Sequence, residues 1–552
     1  MKFRKYFVTL MAAAMATGML TGAVSAEEYS DDQIKDYTMF IAMPGSEKND
    51  GNEVKEIIAH KIGGRVKEIW LTGQTDAEAV GTIIASGEYP EFINGGDAMA
   101  ALYDADVLVA WDDYIDNYPN LKEMYTDKEW DMFRQEDGHI YWANVFGNTY
   151  GMSKATTHND EAFWIQAKVL EWAGYPQIET LDEYFDVLEK YYEANPTLED
   201  GTKVIPYTML CEDWRYFCIE NAPEFLAGYP NDGSVIVDKE NMQIVDYNTI
   251  PIAETYFRKL NEEYSKGIID IEFGTQTYDE YIAKLSTGAV LGMCDQWWDF
   301  AYTVNDVFKQ QGLDIAGCNY VPLGLVAEKG QENRWHTYGD TLNNSSGVAI
   351  TTSCDDVEAA FQFLNDLLDQ EIHDLRFWGV EGVDYLVDEN GLYYRTPEMR
   401  MQVADNEYKA SHMCDYSYMP QWGGTSKDGI NAMTPTEQTS EFFEGLAEPL
   451  VKCFEAYGAG NYPDMIHSVV EENAPWFPMY SFSNAMTTET EGGVAWTKMG
   501  EVKHEWLPKV VMSDDFDTTW AEYMEAYNAT NPEAFLAEMQ EELERRAAAA
   551  AE

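Results

Sequence analysis

The stretch that decides the fold begins Tyr37-Thr38-Met39-Phe40-Ile41-Ala42, breaks at Pro44-Gly45, and runs through Val54–His60, Val66–Leu71 and Thr75–Ser86 to Glu91-Phe92-Ile93-Asn94. Tyr37–Ala42 is apolar and β-prone, and Pro-Gly ends it. Val54–His60 reads as a helix, Val66–Leu71 as a second strand, Thr75–Ser86 as a second helix and Glu91–Asn94 as a third strand. This β-α-β-α-β alternation predicts an α/β protein with a largely parallel sheet covered by helices. Such sheets place ligands at the carboxyl ends of their strands. Pro44-Gly45 and the turn Gly95-Gly96-Asp97 fall on that edge.

Further along, helices dominate. Thr180-x-x-Glu183 reads as a capping box ahead of Leu181, Tyr184, Phe185, Leu188 and Tyr192 at helical spacing. Ser353-x-x-Asp356 opens another helix, with Val357, Ala360, Phe361, Leu364 and Leu368 on one face. Both stripes read as core packing. No Pro- or Ser-rich linker divides the chain and no internal repeat is seen, which suits lobes joined by several short, ordered crossings. Ala547–Ala551 reads as a frayed helix end.

Lys2, Arg4 and Lys5, the apolar stretch Tyr6–Leu20 and the small residues ending Val24-Ser25-Ala26 read as a secretory signal, with cleavage after Ala26. Leu20-Thr21-Gly22-Ala23 looks like a lipobox with Ala23 where a lipidated Cys would stand, and alanine has no sulfur to carry lipid. The chain carries 36 basic and 98 acidic residues, a net charge of −62. Residues 1–26 hold three of the bases and no acid, so cleavage leaves 33 against 98, or −65. That field repels phosphate backbones and anionic lipids, which excludes nucleic acid as partner and disfavours polyanionic sugars. A 45% hydrophobic content with 16 Trp and 36 Tyr excludes acidic disorder. Seven scattered cysteines make no disulfide framework, and none has metal-like Cys-x-x-Cys spacing.

Several segments, in their order along the chain, resemble the family 1 extracellular solute-binding proteins of sugar ABC importers. They are Ser86-Gly87-Glu88-Tyr89-Pro90-Glu91, Trp111-Asp112-Asp113-Tyr114-Ile115, Asp137-Gly138-His139-Ile140-Tyr141-Trp142, Gly174-Tyr175-Pro176, Leu285-Ser286-Thr287-Gly288-Ala289-Val290 with Trp297-Trp298, and Trp520-Ala521-Glu522-Tyr523. The most specific is Gly379-Val380-Glu381-Gly382-Val383-Asp384-Tyr385, preceded by Trp378. The resemblance implies a two-lobed periplasmic-binding-protein-like fold of type II with three hinge crossings. It implies residues 30–145 and 322–400 in one lobe, 146–321 and 401–545 in the other, and 546–552 as a frayed tail. The lobes would close on a sugar and present it, as a monomer, to membrane permease subunits. Some members carry an EF-hand-type Ca²⁺ loop. The matching stretch here, Asn195–Gly201, puts Pro196 and Tyr207 at the first and twelfth ligand positions, where carboxylates are required, so no metal is expected there.

Sugars stack on rings and bond through placed polar groups. Trp297 and Trp298 follow the apolar run Ala289–Cys294, and on an extended segment one would face ligand and the other the core. Asp295 beside them is either a hydroxyl acceptor or a solvated acid. Asp97 either bonds a hydroxyl or caps the next helix. Trp142 and Asn144 flank the first implied crossing, and Trp142 equally suits hinge packing. The resemblance puts Trp378 and Glu381 on a sugar-facing loop, although Glu381 could instead shape that loop. Trp214 (beside Arg215), Trp335 and Trp422 complete the candidates, with core packing the commoner role for a tryptophan.

The competing class is an exported glycoside hydrolase, which needs two carboxylates at a set separation. No Gly-x-Ser-x-Gly, His-Glu-x-x-His, P-loop or Gly-x-Gly-x-x-Gly motif is present, and no cofactor is implied. The expected function is therefore non-catalytic capture of a neutral oligosaccharide in an interlobe cleft.

Overall fold

The computed structural model describes residues 28–145, 149–150, 156–230, 234–336, 342, 344–469 and 474–551. The signal-like segment 1–26, with Ala23, lies outside them.

The opening stretch folds as its pattern dictates. Strand β1 is Lys35–Ile41, helix α1 Glu53–Ile62, strand β2 Gly64–Trp70, helix α2 Asp76–Ser86 and strand β3 Phe92–Asn94. Asn52 caps α1 by accepting from the Lys55 N–H. Thr75 and Glu78 form a full capping box on α2, which fixes where that helix leaves the sheet edge. β1 pairs in parallel with both β2 and β3. The sheet then departs from the parallel expectation. Val348–Ile350 runs antiparallel to β3, and Trp142–Ala143 runs antiparallel to Val348–Ile350. Both added strands adjoin crossings between lobes rather than covering helices, so no parallel crossover constrains their direction. Gly347 is required where they meet, because a Cβ there would stand 2.2 Å from the Ala143 carbonyl oxygen.

The second sheet is antiparallel throughout, in the order Tyr320–Leu323, Glu161–Gln166, Gly292–Gln296. Every residue of Glu161–Gln166 is buried. At its start Glu161 accepts from Asn221 Nδ2 at 3.2 Å and lies 3.5 Å from Cys294 Sγ; burial lifts its carboxyl to about 8, so it is protonated at neutral pH.

Two separate apolar cores result. One gathers residues from Tyr37 to Val145, Val348 to Ile372 and Cys414 to Met433. The other gathers Ala162 to Trp335 and Leu450 to Leu543. The chain thus passes between lobes three times. These cores differ from the expected bounds at two places. Leu323, Leu325 and Trp335 pack in the second lobe, because the strand Tyr320–Leu323 is paired there. Cys414, Tyr416, Met419 and Trp422 pack in the first. Asn52 Nδ2 binds the Ala410 and Met413 carbonyls and holds that segment on α1.

Local readings needed smaller changes. Thr180 does cap Leu181–Ala194, but Glu183 reaches back to the Glu179 N–H. Asp356, not Ser353, caps Val357–Asp366, through its bond from the Ala359 N–H. The last helix, Pro532–Ala551, is not frayed at Arg546, whose guanidinium donates to the Trp476 and Pro478 carbonyls and to Ser481 Oγ. No described helix is long and apolar enough to cross a membrane.

Candidate functional site

The carboxyl edge of the first sheet faces the second lobe, and the site grows from there. Asn94 ends β3, and its side chain accepts from the Gly96 N–H at 3.1 Å. Gly96 takes φ 57°, a left-handed value suited to glycine. This turn aims the Asp97 N–H at Asp76 Oδ2, 2.9 Å away at the head of α2. Asp97 is open to solvent, yet protein surrounds it. Its carboxyl is pushed up to about 6, first by desolvation and then by Asp76 and by Asp213 of the opposite lobe. Asp213 also acts on Asp76. Three acids from two lobes therefore share one space.

The second lobe contributes rings. Asp213 itself adopts φ 51° and turns the chain into Trp214. Trp214 stacks on Trp298 at 5.7 Å and 17°, and on Phe217 at 6.0 Å and 24°. All three rings are half-buried. Arg215 is fully engaged: its guanidinium lies 4.3 Å from the Trp214 ring and 4.1 Å from the Tyr278 ring, and its Nε donates to Asp299 Oδ1 at 2.9 Å.

Helix α3, Trp297–Gln311, sets the cleft wall. Its Phe300, Ala301, Val304 and Phe308 are buried in the second core. Trp298, Tyr302, Asp306 and Gln310 recur every four residues on another face. Tyr302 is 62% exposed. Farther along, Asp306 pairs with Lys409, and Gln310 Nε2 donates to the Ala404 carbonyl at 3.0 Å, both partners lying on the far side of the cleft. Opposite Tyr302 stands Tyr418, packed edge-on against Trp70 at 5.6 Å. Desolvation, followed by the field of Tyr302 and opposed by that of Arg215, brings the Tyr418 hydroxyl to about 12.

Of the expected site residues, Asp97, Trp214 and Trp298 are brought together here. Glu381 is exposed but belongs to a different feature. In the run Gly379–Tyr385, buried Asp384 accepts from the Val380 N–H, the Tyr408 hydroxyl and His412 Nε2. The run is a turn locked by Asp384. The other seven candidates offer almost no surface. Trp378 donates to the Ala432 carbonyl and Trp335 to the Leu325 carbonyl, each from inside a core. Trp142 donates to the Asn344 carbonyl, and Asn144 beside it is also buried. Trp422 packs on Tyr150. Trp297 packs on Trp164 and Tyr462, and Asp295 accepts from the Tyr281 hydroxyl and the Gln296 N–H. Trp297 and Trp298 do diverge, but as the first turn of a helix rather than on a strand. Trp70, Asp76, Asp213, Phe217, Tyr302 and Tyr418 were not anticipated. Tyr302 had a signal, one helical turn after Trp298; Tyr418 had none.

Two groups of side chains have metal-ligating types close together among the described residues. Cys218, Asp295 and Asp299 are wholly interior and already bonded to Tyr281, Gln296 and Arg215. The other is His158, Asp160 and His336.

The raised Asp97 pKa has a measurable consequence. The folded protein takes up this proton near pH 6, the unfolded chain near pH 4. Between those values the folded state binds more protons, so Asp97's contribution to stability falls as pH rises through the window. Asp97→Asn is expected to flatten the melting-temperature profile between about pH 4 and 6; parallel profiles for the two proteins would refute it.

No family model matches the chain. Over 235 residues it is 29% identical to the fructooligosaccharide ABC transporter substrate-binding protein FusA of Streptococcus pneumoniae, covering 39% of this chain and 41% of FusA. It is 23% identical to lipoprotein LipO of Bacillus subtilis over 406 residues, 70% of this chain and 74% of LipO. The fold superposes on FusA in complex with kestose with a TM-score of 0.65, at 15% identity, over 93% of this chain and 100% of that one. It superposes on the alginate-binding protein AlgQ2 with a TM-score of 0.62, at 15% identity, over 94% and 99%. The chain is similar in sequence to FusA and LipO and shares the fold of solute-binding proteins. FusA is named as a transporter's substrate-binding protein, not as an enzyme.

Proposed function

We propose that this protein is exported, captures a neutral oligosaccharide between its lobes and delivers it to the permease of an ABC importer, acting as a monomer and without cleaving its ligand. The observation that carries this reading is the Trp214–Trp298–Phe217 ring group next to Asp213, which shares its space with Asp76 and Asp97. Rings take the C–H faces of a sugar, and carboxylates take its hydroxyl protons. Charge selects among the ligands that related proteins are named for. Arg215 is committed to Asp299, and three acids line the space, which opposes a polyuronate such as alginate and favours uncharged chains such as fructooligosaccharides. We assign ligand contact to Asp97, Trp214, Trp298, Tyr302 and Tyr418, and the hinge to the three passages between the two cores. The leader-like residues 1–26 support export, and Ala23 in place of a lipobox cysteine disfavours a lipid anchor.

The test is calorimetry against a panel of neutral oligosaccharides and an oligouronate, with a reducing-end assay on each mixture. One-to-one binding of a neutral member at about micromolar affinity, with no new reducing ends, is expected. Turnover would favour the hydrolase, and preference for the uronate would overturn the charge argument.

A further inference from the structure

The first and second passages between lobes meet the second lobe side by side, and each carries a histidine there. His158 lies three residues ahead of the strand Glu161–Gln166, and His336 directly follows the buried Trp335. Their Nδ1 atoms are 2.9 Å apart. Asp160 completes the group: one ligand atom from each residue lies within 4.8 Å of the other two. His158 Nε2 is 2.9 Å from the Glu161 carbonyl oxygen, which can only accept. The ring proton of His158 is therefore on Nε2, and Nδ1 presents a lone pair to His336. A backbone carbonyl that fixes the far nitrogen in this way is the usual support of a metal-ligating imidazole. The backbone of His336 is held as firmly, its N–H by Ser468 Oγ at 3.2 Å and its carbonyl by the Ser468 hydroxyl at 2.9 Å.

We propose that His158 Nδ1, His336 Nδ1 and the Asp160 carboxylate bind a zinc ion that clips the first passage to the second at the root of the hinge. Two imidazole nitrogens on tetrahedral zinc stand about 3.3 Å apart, so the rings need to part by only a few tenths of an ångström. The hydrogen now on His336 Nδ1 moves to its own Nε2, and no net proton is lost. Burial keeps both rings neutral at neutral pH, which leaves their lone pairs to the metal. Asp160 and His336 are half-buried, so an ion reaches the site from solvent, and water takes the fourth position. Asp464 lies close enough to act on His336 and adds negative field. Two nitrogens and one carboxylate suit zinc, whereas calcium requires an oxygen-rich shell. Spacing along the chain gave no hint of this site, because the two histidines are 178 residues apart.

The test is a calorimetric titration of zinc into the chelator-treated full chain, in excess calcium to occupy surface acids. One equivalent is expected, with a melting temperature that rises on zinc addition. Asp160→Asn should weaken binding at least about tenfold, and His158→Ala and His336→Ala at least about a hundredfold. Absence of stoichiometric zinc binding by the wild type, its loss under calcium, or affinity unchanged in His336→Ala would overturn the proposal. Should buried His158→Ala fail to fold, the wild-type stoichiometry and the two half-exposed positions decide the matter.

Discussion

Replacing Trp214 and Trp298 together by alanine is expected to weaken oligosaccharide binding at least about thirtyfold, which is about 2 kcal/mol. The two rings stack on each other at 5.7 Å and are half-buried, so neither is a free surface residue and neither is locked in the core. Trp298 is further fixed by its indole N–H, which donates to Gln296 Oε1. A preset platform gives up little conformational entropy when a sugar settles on it, which is why a tryptophan in such a place carries more binding energy than its area suggests. The single variants should not sum to the double, because each removes the support of the other ring. Trp172→Ala is the control: that ring is 48% exposed and packs on Tyr191, outside the cleft. Calorimetry of the wild type, the two single variants, the double variant and the control, with thermal melts to confirm folding, reads the effect. A folded double variant that binds as tightly as the wild type would remove the platform from the site.

How much of this was legible in the sequence depends on how far apart the partners are. β1 through β3 were legible to within two residues at each end, because strand, cap and turn signals act within a few positions. Asp97 was legible for the same reason, since the Gly-Gly turn that presents it is local. Burial of a tryptophan is not a local property. Trp298 stays half-buried against Trp214, 84 positions away, and Phe217, whereas Trp378 is sealed by Tyr385, Tyr393 and the Ala432 carbonyl. The run Gly379–Tyr385 was conspicuous for a real reason, its tight turn, but the residues that show what the turn is for are Tyr408 and His412. Tyr418 faces the cleft only because a distant arginine holds the segment that carries it.

That arginine gives the second large effect. Arg376→Met is expected to cost about 3–5 kcal/mol of stability and to lower ligand affinity as well. Arg376 has no exposed surface, and burial brings its pKa down to about 10, so it remains charged at neutral pH. Its guanidinium donates to the carbonyls of Asp415, Tyr416 and Pro420 at 2.9, 3.0 and 2.6 Å, to that of Leu367 at 3.1 Å, and at 3.5 Å to that of Met419. Methionine fills similar volume but donates nothing, leaving buried carbonyls at about 1–3 kcal/mol each before relaxation. The segment Asp415–Pro420 carries Tyr418 against Trp70, so its loosening removes one wall of the cleft. Arg376→Lys should fall between, since an ammonium has three donors and no planar fork. Urea unfolding is the measurement, with transitions followed separately because two cores need not melt as one. The loss should appear in the first lobe's transition, with weaker calorimetric binding under native conditions. Unfolding curves that coincide for Arg376→Met and wild type would show that this web of carbonyl bonds does not hold the segment, and Tyr418 would then lose its claim to a fixed place in the site.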